Sequence, residues 1–142
     1  MSHWGLMPAM GISSSGLEAE RLRMEVAANN LANAHSSRDA DGQVYQRRQV
    51  VFSSILNDSL RSGSENLGGV QVDDIITDNR PPVRSYAPYH PNADADGMIE
   101  TANISPLEEM LDMITATRAY EANLTALKQS ADMAKQTIQL GR

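Results

Sequence analysis

A chain of 142 residues is about one domain long, and this one carries ten arginines, two lysines and eighteen acidic residues, for a net charge of −6. The absence of cysteine excludes a disulfide framework, a thiolate zinc site and a Cys nucleophile. The scattered arginines offer no basic face to nucleic acid or an anionic membrane, and one Trp, one Phe and four Tyr leave Leu, Ile, Val, Met and Ala to form a small core.

The first stretch, MSHWGLMPAMGI, has no positively charged start and no small-residue cleavage site, so no cleaved secretory signal is expected. No apolar run reaches the length of a membrane-spanning helix. Gly11 to Ala34 reads as a helix. Met10, Leu17, Met24 and Leu31 recur every seventh residue, with weaker partners at Ser13, Glu20, Ala27 and Ala34. A second stripe, Ala19, Leu22, Val26, Asn29 and Asn33, points the other way. Asn30 makes a third asparagine in this short span, although Asn is a mediocre helix former whose amide competes with the backbone.

His35 to Asn103 is broken by Gly, Pro, Asp and Ser. QVYQRRQVVF predicts a strand with Val44, Val50 and Phe52 as its apolar members, and GGVQVDDII predicts another. Ser53 to Leu67 between them reads as weakly amphipathic or loop. RPPVRSYAPYHPNADADG reads as a Pro-punctuated, extended loop. NADADGMIETAN places Asn92, Asp94, Asp96, Gly97 and Ile99 where a calcium-binding EF-hand loop needs them. Its last position is Asn103 instead of the bidentate Glu, and Pro88 and Pro91 replace the upstream helix. The expectation is a polar turn.

Ser105-Pro106-Leu107-Glu108 is a capping box with Pro at the first helical position. No Gly or Pro follows until Gly141, so one helix of roughly 50 Å is predicted from Pro106 to Leu140. Met110, Met113, Thr117, Tyr120, Leu124, Leu127, Ala131, Ala134 and Ile138 alternate in steps of three and four, a heptad seam. Ala119, Ala122, Ala126 and Met133 form a small-residue stripe away from it. A helix apolar on opposite sides needs neighbours on both. The expected fold is mainly α. Residues 1–34 and 105–142 form a coiled-coil layer, and 35–104 is a small strand-and-loop middle.

Nothing in the pattern argues for an enzyme. His3, His35 and His90 are isolated from any partner at metal-ligand spacing. Ser13 to Gly16 is not a nucleophile elbow, and there is no phosphate loop or dinucleotide fingerprint. Asp73-Asp74 and Glu108-Glu109 are adjacent pairs that point apart on a regular element and read as solvated faces. No catalytic residue, metal, cofactor, nucleic acid or small-molecule substrate is expected.

SSSGLEAERLRMEVAANNLANAHSSRDADGQVYQRRQVVF, with its Asn-Leu-Ala-Asn core, resembles the N-terminal signature of bacterial flagellar axial proteins. The stretch from SYAPYHPNADADG through EEMLDMITATRAYEANLTALKQ to the terminal Leu-Gly is similar to the C-terminal signature of the same family. Together they cover about two thirds of the chain. Met98 stands where the family's turn usually has an aromatic. The Gly-Tyr pair common in distal rod and hook members is missing after NAHSS, which favours the proximal rod branch.

The resemblance implies a structural subunit of the flagellar basal body. Such subunits are exported through the flagellar type III apparatus without a cleaved peptide. They polymerise with copies of themselves and other rod proteins, on the basal-body ring, into a hollow, periplasm-spanning drive shaft for motility. It also implies that the helix faces are subunit interfaces. On the first helix these are Leu17, Leu22, Met24, Val26 and Leu31, with Asn29, Asn30 and Asn33 as register-setting hydrogen bonders. On the second they are Met110, Met113, Tyr120, Asn123, Leu124, Leu127 and Ile138. Two other roles for the asparagines and the chain stay open. The asparagines could simply end the helix before His35, and the chain could be a distal rod or hook-type protein. A helical chaperone or adaptor of an export system is a further alternative.

Overall fold

The computed structural model describes residues 6–38, 42–55 and 68–140. Two long helices dominate, α1 (Leu6–Asn33) and α2 (Pro106–Leu140). Between them lie four short strands, β1 (Arg48–Ser54), β2 (Val70–Thr77), β3 (Val83–Tyr86) and β4 (Met98–Thr101). The mainly α class with a small β middle is the expected one.

α2 has the predicted bounds, because its start is specified locally. The Ser105 hydroxyl accepts from the Glu108 N–H at 3.5 Å, the Glu109 N–H reaches the Ser105 carbonyl at 3.2 Å, and Pro106 needs no partner for its nitrogen. α1 starts earlier than the Gly11 expected. Pro8 falls in its first turn, where the missing N–H costs nothing, and Gly11 has open space around it. α1 ends where the Ser36 N–H and hydroxyl both bond the Asn33 carbonyl, at 3.0 and 2.8 Å.

The helices run antiparallel. Asn30 meets Glu109, Arg23 meets Asp112, Met24 meets Thr117, and Gly16 lies under Asn123. The shared face differs from the predicted seam. On α2 the buried residues are Glu109 and Ala116, and on α1 they are Ala19, Val26, Ala27, Asn30 and the adjoining Ala34. The contact is therefore turned on α2 by about half a residue step, roughly 50°. Small residues at the centre let the helices approach closely. The larger Met113, Tyr120, Leu124 and Leu127 are half-buried on the flank, while Met110, Thr117 and Ile138 are exposed.

β1 and β2 pair antiparallel with Val50 opposite Ile75, and a bulge shifts the register between Val51 and Phe52. The first strand begins five residues later than Gln43. Residues 43–47 run irregularly past the end of α1 instead. Most of the segment Ser53 to Leu67 lies outside the described residues; Ser53 and Ser54 finish β1. The expected extended loop is in fact half of a second hairpin, β3 paired with β4, with Tyr86 opposite Met98. The Asp94 side chain closes this turn. Its carboxylate accepts from the N–H groups of Asp96 and Met98 at 3.0 and 2.9 Å, and from Arg84 at 2.9 Å. Those bonds hold its carboxyl below the usual carboxylate range, the Met98 N–H most of all. Gly97 adopts φ 72°, and a side chain there would press on Pro88 and Tyr86 at 3.1 Å, so only glycine fits comfortably. A small cluster of Ala34, Ala102 and Ile104, flanked by Val44 and Tyr45, ties this hairpin's base to the end of α1.

Candidate functional site

The most elaborate side-chain chemistry sits where α1, the approach to β1 and the first turns of α2 converge. Asn30 is 1% exposed and every polar group of its amide is engaged. Its Oδ1 accepts from the Arg48 N–H at 3.0 Å and the Tyr45 hydroxyl at 3.1 Å. Its Nδ2 donates to the Arg48 carbonyl at 2.8 Å and to Glu109 Oε2 at 2.9 Å. The carboxamide thus pairs with Arg48 as a neighbouring strand would.

Glu109, also 1% exposed, takes a 2.5 Å contact from Arg47 Nε. Arg47 Nη2 reaches Asp112 at 3.3 Å, and Arg23 reaches the other Asp112 oxygen at 3.1 Å. The chain of charges ends on Glu20, 3.7 Å from Arg23, with a buried Oε2 that has no hydrogen bond. A fully buried carboxylate such as Glu109 persists because it is both paired and hydrogen-bonded. Burial pushes the Tyr45 hydroxyl above its ordinary pKa; the Arg48 guanidinium, 5.6 Å over its ring, acts against that, and Glu109 adds to it.

This arrangement holds elements together and leaves nothing poised for reaction. Among the described residues no group of three His, Cys, Asp or Glu could hold a metal ion, and no helix is long and apolar enough to cross a membrane.

A different surface lies on the far side of α2. Leu107, Met110, Leu111 and Ile114 are 77, 49, 64 and 52% exposed. They recur at i, i+3, i+4 and i+7, one continuous stripe. At about 100° per residue its centre lies nearly opposite the Glu109, Asp112 and Ala116 face that meets α1. At the other end of α2, Met133, Ile138 and Leu140 are also exposed.

The residues singled out from the sequence divide accordingly. Val26 and Asn30 are buried inside the chain. Leu17, Leu22, Met24, Leu31, Met113, Tyr120, Asn123, Leu124 and Leu127 are half-buried beside the helix contact. Met110 and Ile138 are exposed. The Asn29 and Asn33 amides donate to carbonyls of their own helix, at Glu25 and Asn29, at 2.9 and 2.8 Å. Two residues carry charge inside the fold against the sequence pattern, Arg47 and Glu109, and Asp112 joins them from the partly exposed edge. The Glu108-Glu109 pair does point apart, but only Glu108 is solvated. Leu107, Leu111 and Ile114 lie outside the heptad seam, although their helical spacing with Met110 is itself a sequence signal.

Residues 95–140 match the family described as flagellar basal body rod FlgEFG protein C-terminal, and residues 10–35 match flagella basal body rod protein. The chain is 37% identical to the flagellar basal-body rod protein FlgC of Borreliella burgdorferi, over 94% of this chain and 96% of that relative. It is 37% identical to FlgC of Bacillus subtilis, over 94% and 97%. To FlgC of Escherichia coli O6:H1 it is 37% identical over 96% and 98%.

Proposed function

The chain belongs to the FlgC family of flagellar basal-body rod proteins, a structural family and not an enzymatic one, and from that premise we propose that it is a subunit of the proximal rod. It polymerises helically with copies of itself and other rod proteins into a hollow drive shaft seated on the basal-body ring. In this reading residues 1–34 and 105–142 form the axial layer, and 35–104 lies outside it or against neighbours. Entry is through the flagellar type III export apparatus. A cysteine-free chain suits that passage, because it forms no wrong disulfides on reaching an oxidising space.

One observation carries the reading: the uncovered stripe of Leu107, Met110, Leu111 and Ile114, opposite the face that α1 covers. Apolar stripes on both sides of a helix call for two neighbours, and α1 is only one. The half-buried Leu17, Leu22, Met24, Leu31, Met113, Tyr120, Asn123, Leu124 and Leu127 flank the α1–α2 contact and supply further interface residues in this reading, as does the exposed Ile138 toward the end of α2.

Basal bodies purified from cells whose sole copy carries an epitope tag test this. The tagged wild type should co-purify with the rod, and should stay in the cytoplasm of a strain lacking a working export apparatus. Leu111→Glu lies on an exposed face, so it should fold, yet be absent from basal bodies and leave cells non-swimming. Wild type missing from basal bodies, or normal swimming with Leu111→Glu, would overturn the reading.

A further inference from the structure

The β1–β2 hairpin lies along α1 and touches it through hydrogen bonds at two separated places. At one end the Asn30 carboxamide pairs with both backbone groups of Arg48. At the other the Ser15 hydroxyl accepts from the Val70 N–H at 3.1 Å, beside the Ile55 to Gly69 pair that closes the described part of the hairpin. The spans match. Ser15 to Asn30 is about 22 Å of helix at 1.5 Å per residue, and Arg48 to Ile55 is about 23 Å of strand at 3.3 Å per residue. Two α1 side chains therefore stand in for an edge strand, bonding hairpin backbone at each end.

The two attachments are unequal. Asn30 is buried, makes four bonds, and is tied to α2 through Glu109. Arg47, next to the bonded Arg48, is buried in the same ion pair. Ser15 offers one hydroxyl at a solvent-exposed contact, and that hydroxyl donates its own proton to the Ile12 carbonyl at 2.8 Å. A neutral bond open to water contributes little net stability, whereas leaving a buried amide unpaired is expensive. Close fit reinforces the contrast, since a side chain at Gly69 would sit 2.7 Å from the Ser15 hydroxyl. The Ser15 end thus depends on a bare backbone approaching one oxygen.

We infer that the hairpin is an arm, with Asn30 as its fixed pivot and Ser15 as a releasable latch. Release would swing the Val70 end away from α1 and uncover the side of α1 around Ile12 and Ser15, while the Arg48 end and the helix pair stay in place. The inference is independent of what the subunit assembles with.

The cysteine-free chain allows unique spin-label pairs on the full-length protein. Gln71 with Glu18 reports the latch end, and Gln49 with Ala28 reports the pivot end; all four are exposed. Each pair should give a single narrow distance peak in the wild type. Ser15→Ala should broaden that peak for Gln71–Glu18 and leave it narrow for Gln49–Ala28. Ser15→Thr, which retains the hydroxyl, should restore both. Asn30→Ala should lose both peaks. Ala is a better helix former than Ser, so Ser15→Ala does not endanger folding and decides the matter even if Asn30→Ala fails to fold. An unchanged Gln71–Glu18 peak in Ser15→Ala, or equal broadening at both ends, would overturn the arm.

Discussion

At the Asn30 end of the helix pair, α1 and α2 are joined by an amide, two carboxylates and two guanidinium groups, with Asn30 and Glu109 wholly buried. About 14 residues back along α1, roughly 21 Å at the helical rise, they are joined by Gly16 lying beneath the Asn123 side chain. The first end is specific. Only one register brings Asn30, Arg47 and Glu109 together, and any other strands a buried charge. The second is less specific, because Gly16 offers no side chain to interlock with Asn123. One helix pair thus combines a locked end with a smooth one, and the lesson is that register and closeness are supplied by different residues.

The largest break in this comparison should come from Arg47→Leu. It leaves Glu109 buried without its cation, at about 3–5 kcal/mol for a broken buried pair. Urea unfolding of the variant checks this. A loss below about 1 kcal/mol, the usual range of exposed pairs, would mean that water reaches Glu109. Next comes Asn30→Leu, which orphans both backbone groups of Arg48, at about 1–3 kcal/mol for each buried group left unpaired. Hydrogen exchange at the Arg48 amide should accelerate with it, and unchanged protection there would contradict the pairing.

The smooth end sharpens the contrast. A Cβ at Gly16 would stand 2.8 Å from Asn123 Nδ2, so Gly16→Ala must displace that amide. Ala in place of a helical Gly brings about 0.5–1 kcal/mol. The single variant should therefore be near neutral, and Gly16→Ala with Asn123→Ala should recover the gain relative to Asn123→Ala alone. Thermal unfolding of the four proteins in this cycle measures it. If Gly16→Ala alone already gains fully, Asn123 moves aside freely.

The smallest effect on the free subunit is expected from Asn33→Leu. Its amide bonds only its own helix, so stability should stay within about 0.5 kcal/mol of wild type, as for ordinary surface changes. We propose that Asn29 and Asn33 set register between subunits, and swimming and basal-body yield then give the decisive reading. Defective rods from a fully stable Asn33→Leu subunit fit that role, and normal rods leave Asn33 as a helix-end residue.

The two helices were legible because their signals are local. Ser105, Pro106 and Glu108 mark a start without reference to the rest of the chain, and the heptad recurrence of apolar residues marks the length. The contact face is turned from the seam because periodicity ranks Leu and Met above Ala, Gly and Glu, whereas close approach favours small residues such as Ala27 and Ala116. Asn30 stands out in the sequence as a poor helix former, but its partners lie on segments remote in sequence, so nothing local announces its pairing with Arg48. Glu109 was hidden by its neighbour: the same residue type stands at Glu108 in water. The second hairpin was hidden by its prolines, which lie outside the paired residues Val83–Tyr86 and Met98–Thr101.

The buried pairing has a consequence in time. Asn30 and Glu109 are 79 residues apart in the chain, and Arg47 and Glu109 are 62 apart. A chain emerging from its N-terminus has α1 and β1 in hand long before α2 supplies the carboxylate that both need. Until then Arg47 has no buried anion to join and gains more from staying in water. Closure of long loops precedes the contacts that reward it, so this junction is among the last to form. The subunit therefore remains open for most of its emergence and locks only when the start of α2 arrives.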